Sequence, residues 1–264
     1  MKNDINENKA LSQTSVMCRA VDNLELLLSQ PDESVDLIYC DILYGTGKDF
    51  MDYKDLYPIR EIIEAHYLPR LKEMHRVLKS TGSIYLQMDY RIVHWVRCLM
   101  DDIFSYGNFR NEIIWHYRNG GSSKKQFARK HDNILFYSKS NKYKFNTQYK
   151  KSYINKTKGY NPYTKQHNDE NGIFCYSIEV DVWDIQHINM HDKKNRVGYA
   201  TQKPKALIER IVKASSNEGD TVADYYLGSG TTAVVCKELN RNFIGCDINP
   251  KAIEITNARL DALS

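Results

Sequence analysis

Near the C-terminus of this 264-residue chain, the run Asp224-Tyr225-Tyr226-Leu227-Gly228-Ser229-Gly230-Thr231-Thr232 restricts the fold more than any other stretch. It follows a short apolar run, Thr221-Val222-Ala223, and opens a helical pattern carried by Ala233, Val234, Val235, Cys236 and Leu239. Gly228, Gly230 and Ala233 have the spacing G-x-G-x-x-A. Glycines at those places allow a tight strand-to-helix turn and let the backbone approach a ligand closely. A second apolar run, Asn242 to Cys246, ends in Asp247. That acid stands about 20 residues past the glycines, where a nucleotide fold places the carboxylate that holds ribose hydroxyls. Strand, glycine turn, helix, strand and acid together point to a nucleoside cofactor.

The rest of the chain supplies the sheet such a turn needs. Ser15 to Cys18 reads as a strand and Asn23 to Leu28 as a helix stopped by Pro31. Ser34 to Cys40 is a continuous apolar strand of the kind buried on both faces of a parallel sheet. Pro58 to Leu78 is mostly helical, with Tyr67, Leu71, Met74 and Leu78 at three- and four-residue steps, a kink or restart expected at Pro69 and an end at Gly82. Ser83 to Met88 is a strand, Ile92 to Phe104 a helix, and Glu112 to Tyr117 and Asn133 to Tyr137 are two more strands. After Lys203-Pro204, Leu207, Ile208, Ile211 and Val212 share one helix face. Asn249-Pro250 has the signature of a helix N-cap and first turn. Strands alternating with helices give an α/β class, a Rossmann-like doubly wound, mostly parallel sheet.

One region breaks the pattern. From Asn141 to about Asp181 periodicity is lost, and the segment is too long for a simple connection, so residues from about 141 to 185 are expected to be a basic recognition insert. Charge is uneven in the same part of the chain. Between Arg118 and Lys165 there are thirteen basic residues and one acid, Asp132, a charge of +12 in a chain of net charge +4. Nine aromatics lie among them, from Phe127 to Tyr163. Cations interleaved with rings suit phosphates and stacked bases, so nucleic acid is the expected partner, with Lys124, Lys125, Arg129 and Lys130 as contacts; the alternative is a lysine-rich solvated surface. The six cysteines are scattered without a C-x-x-C pair, which suggests reduced thiols in a cytoplasm and no metal. No apolar run approaches membrane-spanning length. Met1 to Gln13 is polar and lacks a signal peptide's apolar stretch, so 1–13 reads as a tail and 14–264 as the domain.

Ligands in such sheets sit at the C-terminal ends of strands. The Ser34–Cys40 strand ends in Asp41-Ile42-Leu43-Tyr44. A carboxylate and a ring three residues apart can hold a planar, amine-bearing base, Asp41 accepting from the amine while Tyr44 stacks; the alternative is a strand-end Asp that caps the loop.

With these residues in view, the chain resembles the β-class amino-methyltransferases of DNA, which methylate exocyclic amines with S-adenosylmethionine. That family has the order seen here: catalytic motif, recognition region, cofactor motif. Its catalytic motif is usually Asp-Pro-Pro-Tyr, matched by Asp41-Ile42-Leu43-Tyr44. Its cofactor motif, Asp-Pro-Phe-x-Gly-Ser-Gly-Thr-Thr, is matched by residues 224–232. Thr201-Gln202-Lys203-Pro204 is similar to a segment at the methionine end of the cofactor pocket. Phe109 to Trp115 and His131 to Tyr137 resemble family strands. The resemblance implies catalytic roles for Asp41, the Ile42 carbonyl and Tyr44. It implies cofactor contacts from Asp224, Tyr226, Gly228, Ser229, Gly230, Thr231, Asp247, Thr201 and Lys203. It also implies double-stranded DNA as the partner, a base rotated out of that duplex, and adenine rather than cytosine because the motif begins with Asp. A restriction-modification setting, in which a cognate endonuclease and a homodimer are possible partners, follows by analogy with the family. Ile42, Leu43 and Tyr225 replace three family prolines. The rivals are a DNA-binding pseudo-methylase, an N4-cytosine enzyme, an RNA or small-molecule methyltransferase, and, least favoured, a nicotinamide oxidoreductase.

Overall fold

A computed structural model describes residues 14–50, 52–118, 121–154, 165–188, 196–199 and 201–263. The expected tail, 1–13, lies outside the described residues, as do Lys156, Lys158, Tyr160 and Tyr163 of the basic stretch.

Eight strands form the central sheet in the order β1-β11-β10-β2-β3-β5-β4-β9. They are β1 (Val16–Ala20), β2 (Val35–Asp41), β3 (Leu78–Met88), β4 (Phe109–His116), β5 (His131–Ser138), β9 (Val182–Asp184), β10 (Thr221–Asp224) and β11 (Asn242–Asp247). The strands from β1 to β3 in that order are all parallel neighbours. β5 runs antiparallel to both β3 and β4, and β9 lies parallel to β4 at the edge. β2 shows why the middle of the sheet is buried on both sides: Ile38 and Cys40 join one apolar cluster, Leu37 and Tyr39 the other. The first cluster is covered by α1 (Asn23–Ser29), α2 (Arg60–Val77) and α3 (Val93–Phe104). The second is covered by α4 (Lys205–Ser215), α5 (Thr231–Glu238) and α6 (Pro250–Asp261).

Of the kink or restart expected at Pro69, the restart is corrected: α2 runs through Pro69 as one helix. Proline lacks the N–H for one helical bond, but Ile63, Tyr67, Leu71, Met74 and Val77 are buried along the same face and hold the helix together. The helix ends at Val77, not Gly82, and Leu78 already belongs to β3. Gly82 lies within that strand because the backbone crowds it: an added Cβ would stand 2.9 Å from the Asp36 carbonyl oxygen.

The segment read as lacking regular structure contains a second, three-stranded antiparallel sheet in the order β6-β8-β7. Its strands are β6 (Tyr149–Tyr153), β7 (His167–Asp169) and β8 (Gly172–Ile178). Alternation is present in β6, where Tyr149, Lys151 and Tyr153 are exposed, but the polar-out rule is not followed. On β8 Tyr176 and Ile178 are exposed and Phe174, on the same face of the strand, is buried. β9 then leaves the insert and rejoins the main sheet, with Trp183 opposite the buried Trp115.

Candidate active site

The C-terminal ends of β2, β10 and β11 open on a cavity of ≈ 500 Å³. Of the twelve residues read as catalytic or cofactor-binding, eleven line it; Gly230 does not. Gly230 caps α5 at φ +73°, and a Cβ there would collide with Thr256 of α6 at 2.2 Å. Its glycine is required by helix packing.

Asp41 is the last residue of β2. Its Oδ1 accepts from the Tyr44 hydroxyl at 2.8 Å, and its Oδ2 accepts from the Lys203 ammonium. Burial raises the Asp41 carboxyl above its ordinary pKa, while the Lys203 charge and hydrogen bond oppose that. Lys203, expected to contact the cofactor, is therefore placed on the catalytic-motif carboxylate, with Nζ also 5.7 Å from the Tyr44 ring centroid. Thr201 accompanies it: its carbonyl accepts from Lys203 Nζ at 3.3 Å.

The loop keeps its shape without the two prolines. The Ile42 N–H donates to the Gln87 carbonyl at 3.1 Å, and the Leu43 carbonyl accepts from the Tyr67 hydroxyl at 2.8 Å. The Ile42 side chain is buried in the core. Beyond Tyr44, the buried Asp55 carboxylate accepts from the backbone N–H groups of Gly45 and Thr46 at 3.0 and 2.8 Å. Gly45 and Gly47 take φ values of +65° and +66° there.

The glycine turn is organised by two acids. Asp224, 2% exposed, accepts from the Thr232 hydroxyl at 2.6 Å and the Tyr226 N–H at 3.1 Å. Burial nevertheless pushes its pKa up to about 7. Asp247 Oδ2 accepts from the Gly228 N–H at 2.9 Å, and Oδ1 from the Asn249 N–H at 2.9 Å. Burial raises this carboxyl too. The Tyr226 hydroxyl lies 3.2 Å from His66 Nε2, an imidazole that burial and Arg70 push down to about 4. Ser229 and Thr231 hydroxyls are 3.3 Å apart, and Thr231 reaches the Lys203 carbonyl at 3.4 Å.

Three residues hydrogen-bonded behind the cavity-lining Tyr44 were not read as functional from the sequence. Asp132 Oδ2 is 2.9 Å from the Tyr44 hydroxyl, and Gln87 Nε2 is 3.1 Å from both. The Tyr117 hydroxyl donates to Asp132 Oδ1 at 3.0 Å. Signals existed: Asp132 is the one acid of the basic stretch, and Gln87 is a polar residue inside an apolar strand. The four basic residues named from sequence lie on the loop between β4 and β5, away from the cavity lining. The Arg129 guanidinium sits 3.9 Å from the Tyr90 ring centroid, just past the end of β3, and Phe127 is 99% exposed.

Residues 35–258 match the profile of the N6/N4 DNA methylase family. This chain belongs to that family. The type II methyltransferase M.HpaI of Haemophilus parainfluenzae is 36% identical over 253 residues, 92% of this chain and 72% of that one. The DNA adenine methyltransferase YhdJ of Escherichia coli K12 is 32% identical over 257 residues, 92% of this chain and 82% of that one. Among solved structures, the cytosine-N4-specific PvuII DNA methyltransferase superposes with a TM-score of 0.68 over 94% of this chain and 86% of that chain, at 17% identity. At that identity the likeness bears on fold alone.

Proposed function

We propose that the chain transfers a methyl group from S-adenosylmethionine to the exocyclic amine of an adenine rotated out of duplex DNA. The observation that carries this is the placement of Asp41 and Tyr44 across one cavity from the Gly228 turn and Asp247. Family membership supplies the reaction class.

The donor set suits the cofactor. Asp247 offers carboxylate acceptors for a ribose diol, and the exposed Ile248 beside it offers an apolar face. The acids around the cavity suit a cationic sulfonium, and the Ser229 and Thr231 hydroxyls suit a carboxylate. When bound, that group supplies an electrophilic methyl. The chain's own part is orientation. Asp41 accepts from the target amine and raises electron density on its nitrogen. Tyr44 gives the base a stacking face, worth about 1–3 kcal/mol against an extrusion cost of a few kcal/mol. Holding amine and methyl in line supplies most of the acceleration.

Adenine is favoured over cytosine by the leading Asp of the motif and by the name of YhdJ. The type II methyltransferase relatives favour a restriction-modification role, with an endonuclease of the same recognition sequence as partner and a cytoplasmic location. Among the described residues no helix is long and apolar enough to cross a membrane. The family's homodimer remains part of the reading.

Incubation with tritiated S-adenosylmethionine and unmethylated genomic DNA, followed by nucleoside analysis, tests the proposal. N6-methyladenine is expected. N4-methylcytosine would reassign the base. No incorporation, with cofactor and DNA both bound, would leave the pseudo-methylase.

A further inference from the structure

Three oxygens lie in a row that starts at two cavity-lining residues and ends at a buried acid behind them: Asp41 Oδ1, Tyr44 Oη and Asp132 Oδ2. Their consecutive separations are 2.8 and 2.9 Å. Each is the length of an O–H···O bond, and each therefore calls for its own hydrogen. Tyr44 brings one. Gln87 Nε2 donates from the side, to Tyr44 Oη and Asp132 Oδ2, and adds none along the row. With both carboxylates ionised the row is one hydrogen short.

We propose that this row takes up the proton the target amine loses on methylation, and that Asp132 is its second carboxylate. The idea rests on the methyltransferase reading above. As the amine nitrogen bonds the methyl carbon, the departing sulfur keeps the electron pair of the broken carbon–sulfur bond. One N–H bond then breaks, its electron pair stays on nitrogen, and the proton passes to Asp41. The Asp41 hydroxyl donates to Tyr44 Oη while the Tyr44 hydroxyl donates to Asp132 Oδ2. Both contacts then hold a hydrogen, and the proton reaches water when the product leaves.

The surroundings suit this role. Lys203 pairs with the other oxygen of Asp41, so one of the two negative charges is balanced. Asp132, 6% exposed, has neutral donors around it: Tyr44 beyond β2, Gln87 on β3 and Tyr117 beyond β4. Asp89 beyond β3 and His187 beyond β9 also feel its charge. Burial first, and Asp132 as a further contributor, raise the Asp41 carboxyl, as a proton acceptor needs; Lys203 and Tyr44 oppose them.

Two readouts test it. Infrared difference spectra of the chain alone, titrated with pH, should show a protonated-carboxyl band above the ordinary aspartate range that Asp132→Asn removes. Asp224 and Asp247 contribute their own bands, which that variant leaves in place, and an Asp89→Asn control identifies any band from Asp89, whose carboxyl burial raises and Asp132 raises further. In single turnovers on DNA, Asp132→Asn should slow transfer by roughly 10²-fold, the scale of a positioned proton acceptor. Its acid limb should move to lower pH, because Asp132 no longer raises Asp41. Tyr44→Phe keeps the ring and breaks the row, so its loss should match, and the double variant should be no worse than either single one. Cofactor and DNA affinities, measured by calorimetry, should hold in both. A wild-type rate and pH profile in Asp132→Asn, multiplying losses in the double variant, or a band indifferent to Asp132 would overturn the proposal. Absence of any methyl transfer by the wild type is a separate failure, of the methyltransferase reading, and takes this proposal with it.

Discussion

Asp36 and Asp41 stand on the same strand, about 17 Å apart along it, and their surroundings are opposite. Asp36, 2% exposed, accepts from Lys79 Nζ at 2.7 Å, Lys144 Nζ at 2.9 Å and the Thr221 N–H at 3.0 Å. Burial alone would raise its carboxyl, but those partners hold it below the ordinary value. At the other end of the strand Asp41 is held above it, and Asp224 on the neighbouring strand titrates near 7. One end of the sheet neutralises its acid and gains a clamp between β2, β3 and the insert. The other end leaves its acids under-compensated, which is costly for folding and useful for gripping an amine and a cation.

The largest expected effect lies at the catalytic end. Asp41→Asn should lower methyl transfer by about 10²–10⁴-fold, with unchanged or higher resistance to urea; a parallel fall in the unfolding midpoint would break the contrast. Asp36→Asn should do the reverse. It should cost about 2 kcal/mol in urea unfolding, because two lysines and a backbone N–H lose a charged acceptor, and leave transfer per folded molecule unchanged. Asp247→Ala should weaken S-adenosylmethionine about tenfold in calorimetry, roughly 1.4 kcal/mol; unaltered affinity would remove Asp247 from the ribose. Ile42→Pro should reduce the transfer rate by about 1 kcal/mol of barrier, since proline cannot make the bond that Ile42 N–H gives to Gln87. A faster enzyme would mean that the family prolines pre-organise this loop better than the hydrogen bond does.

The smallest effect is in pH dependence, and its sign differs between the two ends. Asp36 has a lowered folded pKa, so its contribution is present above the unfolded value of 3.8 and is lost as pH falls. Asp224 has a raised one, so its contribution is present below 3.8 and is lost as pH climbs through about 7. Across pH 4 to 7, Asp224→Asn should gain stability relative to wild type. Asp36→Asn should approach wild type only on acidification below that window. Unfolding midpoints at stepped pH decide both.

Much of this was legible in the sequence, for a physical reason. Asp41, Asp224 and Asp247 end parallel strands, with Tyr44 three residues past the first of them, and the acid-after-apolar-run pattern marks such ends directly. Asp132 escaped because it starts its strand. β5 runs antiparallel, pairing Met88 with Asn133 and Gln87 with Ile134, so its first residues face the same edge as the others' last ones. Strand direction is a tertiary fact that no local pattern carries. Gly82 misled for a related reason: a glycine after a helical run reads as a cap, whereas here a neighbouring strand's carbonyl excludes a side chain. The small sheet was hidden because its exposed positions mix aromatics with isoleucine and lysine, which gives no clean polar face.

That small sheet is joined to the body through a narrow neck. The Glu179 N–H bonds the Gln148 carbonyl at 2.9 Å, closing the segment upon itself. On the entry side the Asn146 N–H holds the Ala214 carbonyl at 2.7 Å; on the exit side the Asp181 carbonyl accepts from the Ile114 N–H at 2.8 Å. Among the described residues between positions 148 and 179, none bonds Asp41, Tyr44, Gln87 or Asp132, so that stretch can be exchanged without breaking their row. In engineering terms the segment is a cassette with sockets at Asn146 and Asp181, and grafts from relatives should be cut there rather than at the sheet's own strands.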